Sequence, residues 1–104
     1  MMRPQHLHPG YHLKKEMNFR GITAARLAKQ IGVKTAEITA IFNEEADITN
    51  ELATLIEAAT GYPAHMLLKM QYAYNEWKAE QNKELQAKAT DIRRSVRTQV
   101  HLRG

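Results

Sequence analysis

Apolar positions along the chain recur at helical intervals, with no sustained two-residue alternation of the kind that marks a strand. Leu13 and Met17, four apart, share one face of a first helix predicted over residues 11–19. Leu27, Ala28 and Ile31 form the stripe of a second helix, with Thr23 placed to cap its start and Gly32 to end it in the left-handed conformation. Ile38, Ile41 and Phe42 are the inward set of a third, which begins at Lys34 or Thr35 and ends near Asn43. Thr49 caps a fourth, with Leu52, Leu55, Ile56 and Ala59 directed inward until Gly61 stops it. Tyr62 precedes a proline and is biased away from helix, while Pro63 suits a first helical position. From Ala64 a fifth helix keeps the spacing through Met66, Leu67, Met70, Tyr74 and Trp77 with no breaker after it. The pattern therefore predicts an all-α protein of five helices followed by a polar extension.

Proline and glycine punctuate the chain from Pro4 to Pro63 and then vanish until Gly104. We divide it into an N-terminal arm over residues 1–10, a helical domain over 11–78 and a polar, basic helical extension over 79–104. The extension is rich in Lys, Glu, Gln and Ala, all good helix formers. Leu85, Ala89, Ile92, Val96 and Val100 draw a narrow apolar stripe along it. Three uses compete for this tail: a solvated helix end, an arm lying along DNA, or a seam against another chain.

Composition narrows the classes. At 104 residues with 43% hydrophobic content, the chain can build one modest core. Without cysteine there is no disulfide, thiolate metal cage or thiol nucleophile. No apolar run approaches the roughly 18 residues needed to span a bilayer, and MMRPQHLHPG lacks the apolar stretch of a signal peptide, so a soluble cytoplasmic protein is expected. The net charge is +4, yet residues 1–87 carry ten Lys/Arg against ten Asp/Glu, which places the excess in the tail. Residues 22–61 set three cations, Arg26, Lys29 and Lys34, against six carboxylates. That sign opposes strong attraction to a polyanion.

His6, His8 and His12 lie close together, but no carboxylate stands among them and Pro9 and Gly10 are expected to interrupt any helix joining them. No metal site is assigned to them. Nor does any nucleophile–base pair, phosphate-cradling glycine loop or paired carboxylate appear, so neither enzymatic activity nor a cofactor is expected.

The informative constellation is a pair of short helices, Thr23 to Ile31 and Lys34 to Asn43, joined through Gly32 and Val33. This is helix-turn-helix spacing. HPG at His8–Gly10 followed by Leu13, ARLAKQIGV at residues 25–33, Ile38, Ile41 and Asn43, Ile48 and Thr49, then Gln71, Tyr74 and Trp77 resemble the HigA antitoxins. These are antidote proteins of plasmid-maintenance toxin–antitoxin modules, a branch of the Cro/repressor-type (XRE) helix-turn-helix proteins. The resemblance covers roughly residues 8–78. It implies a five-helix, lambda-repressor-like domain, a homodimer, repression of the module's own promoter by operator binding, and neutralisation of a small basic ribonuclease toxin.

By position in that family, Lys34, Thr35, Ala36, Thr39, Ala40 and Asn43 are the DNA-binding candidates. Three features depart from the family pattern. Asn43 is followed by Glu44, Glu45, Ala46 and Asp47 where the family has glycine and then basic residues; Ala24 and Ala25 open the second helix where Gln or Ser is common; and Leu55 stands where an Arg is common. No Arg, Gln or Asn occupies the reading positions Thr35, Ala36, Thr39 and Ala40 to give a bidentate base contact, so binding to double-stranded DNA by the free protein is expected to be weak. Glu44, Glu45 and Asp47 become candidates for docking a positively charged toxin. The alternative is a helix-turn-helix scaffold with a degenerate DNA surface, serving as a protein-interaction module or an orphan transcriptional regulator.

Overall fold

The computed structural model describes residues 7–103, and side chains to residue 98. It is all-α: α1 Pro9–Arg20, α2 Ala24–Ile31, α3 Thr35–Phe42, α4 Asn50–Thr60, α5 Ala64–Gln81 and α6 Lys83–Arg103. No described helix is long and apolar enough to cross a membrane. The chain divides into two units, one ending at Tyr74 and the other beginning at Asn75, so that α5 contributes to both.

The first helix starts earlier than its apolar spacing implies. Pro9 and Gly10 lie inside it as its first two residues, with His8 as the N-cap. A proline costs nothing where the backbone N–H would have no helical partner, and the Gly10 N–H donates to His8 Nδ1 at 2.9 Å. The expected interruption at these residues is thus a helix start. Glycine is required at position 10 for space: a Cβ there would lie 1.8 Å from the Ile41 carbonyl oxygen. That close approach lets α1 lie directly on the backbone of α3.

Thr23 and Thr49 cap α2 and α4 through hydrogen bonds from the Arg26 and Leu52 N–H groups, each 3.1 Å. Helix α2 packs on both α3 and α4, and α1 on α3. Leu13, Met17, Leu27, Ala28, Ile38, Ile41, Phe42, Ile48, Ala53, Ile56 and Leu67 fill the shared core. Arg20 ties the end of α1 to α4 by donating to the Thr60 carbonyl while pairing with Glu16 at 2.9 Å.

Two helical faces are rotated from expectation. In α4 the inward residues are Ala53 and Ile56, with Leu52 half-buried; Leu55 is 40% exposed and Ala59 is exposed. In α5 the buried set within the first unit is Leu67, Gln71 and Tyr74, while Met66 is exposed. Burial follows the face meeting the core, where small Ala53 and polar Gln71 fit in place of larger apolar neighbours. Pro63 also sits just outside α5: its carbonyl accepts from the Met66 and Leu67 N–H groups, and Glu57 Oε2 accepts from the Ala64 N–H at 2.8 Å.

In the second unit α5 ends at Gln81 and a new helix begins at Lys83, so the uninterrupted run expected after Ala64 is broken. Asn82 breaks it by acting as an N-cap, its Oδ1 accepting the Leu85 N–H at 3.0 Å. Gln86 Nε2 reaches back to the Ala79 carbonyl at 2.9 Å and bridges the interruption. The described residues thus hold six helices, with the extension forming the sixth. Leu85, Ile92 and Val96 are exposed along it; Val100 and Arg103 lie outside the described side chains.

Candidate nucleic-acid interface

The turn between α2 and α3 is built by Gly32, whose φ of 77° is left-handed. Its N–H and that of Val33 both donate to the Ala28 carbonyl, at 2.9 and 3.0 Å. Val33 is half-buried against the core and Lys34 is extended, which turns the chain into α3. Ile38, Ile41 and Phe42 then anchor α3 and fix which face turns out.

That outward face carries Thr35, Ala36, Thr39 and Asn43, all exposed, with Lys34 exposed at its start. Ala40, the sixth candidate, is half-buried, and its carbonyl accepts the Glu45 and Ala46 N–H groups at 2.8 and 3.2 Å. Two hydroxyls, one alanine methyl and one carboxamide are thereby presented in helical register. Hydroxyls and Asn can hydrogen-bond base edges, and Ala can touch a thymine methyl. Glu37 lies exposed in the first turn of α3, where the helix dipole favours a carboxylate. At the entry to α2, Ala25 and Arg26 are exposed beside the Thr23 cap.

The exit from α3 is a Schellman turn carried by a glutamate. Asn43 keeps φ −87°, and Glu44 takes the left-handed φ of 63° that glycine normally supplies. The Glu44 and Glu45 N–H groups donate to the Ile41 and Ala40 carbonyls at 3.0 and 2.8 Å. Ala46 and Ile48 pack inward, so Glu45 and Asp47 are exposed while Glu44 is half-buried.

Three features beneath this surface were missed from the sequence. His8 is fully buried, stands edge-on to Tyr74 at 4.6 Å between ring centroids, and has its Nε2 4.0 Å from Asp47 Oδ1. Gln71 Oε1 accepts the Ile48 N–H at 2.8 Å, which pins the loop after α3 to α5. Gly10 brings α1 against the last turn of α3. The HPG and QxxY spacings were the visible signal, and together they brace α3 from behind. Of the histidines, His12 is half-buried and edge-on to Tyr11, and His6 lies outside the described residues. Tyr62, partly buried, has its hydroxyl pKa raised above the ordinary 10.0 by burial, helped by the nearby Glu16 carboxylate.

Residues 13–67 match the helix-turn-helix family model HTH_3. Virulence-associated protein I of Dichelobacter nodosus is 35% identical over 79 residues, covering 75% of this chain and 73% of that protein. An addiction-module antidote protein of the HigA family from Coxiella burnetii superposes with a TM-score of 0.68 at 31% identity, over 89% of this chain and 95% of that one. A Pseudomonas aeruginosa protein solved in complex with its 18-base-pair operator DNA superposes with a TM-score of 0.66 at 26% identity, over 76% of this chain and 84% of that one.

Proposed function

The chain belongs to the helix-turn-helix family HTH_3 (XRE), as a HigA-like member and not an enzyme, and on that premise we propose that it is an antitoxin that represses its own operon. As a cytoplasmic homodimer it inserts α3 into the operator major groove. The observation that carries this reading is the outward face of α3, Thr35, Ala36, Thr39 and Asn43, braced from behind by Gly10, His8 and Gln71. The operator-bound Pseudomonas neighbour supports it. With two hydroxyls and one carboxamide, that of Asn43, on this face, recognition rests on few hydrogen bonds, methyl contact and groove shape.

The second partner is a small ribonuclease toxin. A surface that holds RNA phosphates is positive, and the exposed Glu45 and Asp47 beside Glu44 complement it. Glu45→Lys should slow association with such a toxin at low salt; an unchanged rate removes this turn from the docking surface.

A gel shift with the chain's own upstream DNA at two salt concentrations tests operator binding. A specific shift is expected, weakened roughly fivefold by each of Thr35→Ala and Thr39→Ala, since a hydrogen bond contributes about 1 kcal/mol. No shift at low salt would replace this reading with that of a scaffold that binds only proteins.

A further inference from the structure

The charge of this chain is separated from its helix-turn-helix. Residues 75–104 carry seven Lys/Arg against four Asp/Glu, whereas residues 22–61 are net acidic. Within α6 three of the arginines are grouped as well. At about 100° per residue, Thr90, Arg93, Arg94 and Arg97 share an arc of about 100°, while Leu85, Ala89, Ile92 and Val96 occupy a separate arc of about 60°. The four basic-arc residues line a common surface hollow, and Arg93 Nη2 donates to Thr90 Oγ1 at 3.3 Å. All three guanidiniums are exposed and fall within about 6 Å along the helix axis. Three of the four arginines of α6 thus share one arc, away from both its apolar stripe and its two carboxylates, Glu84 and Asp91.

We propose that Arg93, Arg94 and Arg97 on α6 form a second phosphate-binding face that grips the backbone of duplex DNA independently of the base-reading face of α3. The proposal rests on the DNA-binding reading above, and it names where that binding finds its cations. Arginine suits the task because its planar fork hydrogen-bonds phosphate oxygens in pairs. Duplex DNA is favoured over an acidic protein or a lipid surface because the net acidic helix-turn-helix needs a compensating cationic contact on its own ligand. Such contacts read no bases, so they strengthen operator and non-operator DNA alike.

The full chain and its Arg93→Gln, Arg94→Gln, Arg97→Gln triple variant are compared by fluorescence anisotropy on the upstream duplex and on a scrambled duplex, across a salt series. Gln keeps the helix propensity, and circular dichroism verifies an unchanged fold. A second triple variant, Lys14→Gln, Lys15→Gln, Lys69→Gln, removes the same charge from exposed positions elsewhere. For the arginine variant the salt slope should flatten by about 0.9 per contact, so that the wild-type affinity loss between about 50 and 200 mM salt exceeds the variant's by ~40-fold, equally on both duplexes. The lysine variant should stay near wild type. An unchanged slope, an equal change in the lysine variant, or a loss confined to the upstream sequence overturns the proposal. So does binding to anionic vesicles that the arginine substitutions abolish while DNA binding persists. If the wild type binds both duplexes equally and the arginine variant still flattens the slope, operator recognition fails while this face stands.

Discussion

Replacing Gly10 with alanine reverses the sign that helix propensity predicts. At an ordinary helical site, Gly→Ala stabilises by about 1 kcal/mol. Here the new Cβ would lie 1.8 Å from the Ile41 carbonyl oxygen, 2.8 Å from its carbon and 3.0 Å from His8 Nδ1. Two of these neighbours are backbone atoms of α3, which have no rotamer to escape into. Restoring van der Waals contact requires α1 and α3 to part by roughly 1.5 Å, across a core whose interdigitation tolerates little change. Overpacking of this kind costs about 1–3 kcal/mol, and an immobile neighbour places it at the upper end. After the propensity gain, the net loss is about 2 kcal/mol, or about 10 °C in Tm for a domain of this size. Urea unfolding followed by circular dichroism measures it directly. Gly61→Ala is the matched control, since nothing lies within 4 Å of its Cβ and the substitution costs only the left-handed penalty at φ 77°, about 1 kcal/mol. A Gly10→Ala protein as stable as wild type, or more so, would refute the close approach of α1 to α3. Because Ile41 belongs to the same helix as Thr39, the variant should also lose operator affinity.

Gln71→Leu should cost about 1–3 kcal/mol by leaving the buried Ile48 N–H without its acceptor; a urea midpoint equal to that of wild type would dismiss the Ile48 bond. The raised Tyr62 pKa means that the unfolded chain ionises first, so its contribution is complete below pH 10 and is lost as pH rises through the higher folded-state value. Tyr62→Phe should accordingly flatten the alkaline limb of the stability curve, measured as Tm against pH, and an unaltered limb would show that Tyr62 ionises equally in both states.

The helices and their caps were legible in the sequence because they depend on local chemistry. Thr23 and Thr49 cap, and Gly32 and Gly61 stop, for reasons confined to a turn of chain. The outward face of α3 was legible too, since Ile38, Ile41 and Phe42 leave Thr35, Ala36 and Thr39 no other side to occupy. The first start, the break at Asn82 and the rotation of α4 were not. Proline and glycine read as breakers in one context and as a helix start in another, and what separates them at residues 9 and 10 is a histidine side chain folding back on the Gly10 N–H. Asn82 competes with the helix only when its carboxamide turns onto the Leu85 N–H.

Periodicity, capping residues and charge thus determined by themselves an all-α chain with a helix-turn-helix and a cationic tail, because each arises within a few residues or from simple counting. The tertiary structure decided what holds α3 in place. Gly10 against Ile41, His8 against Tyr74 and Gln71 against the Ile48 N–H join positions tens of residues apart. No local spacing encodes such contacts: they exist only once two helices are close enough for a missing Cβ or a single buried carboxamide to matter.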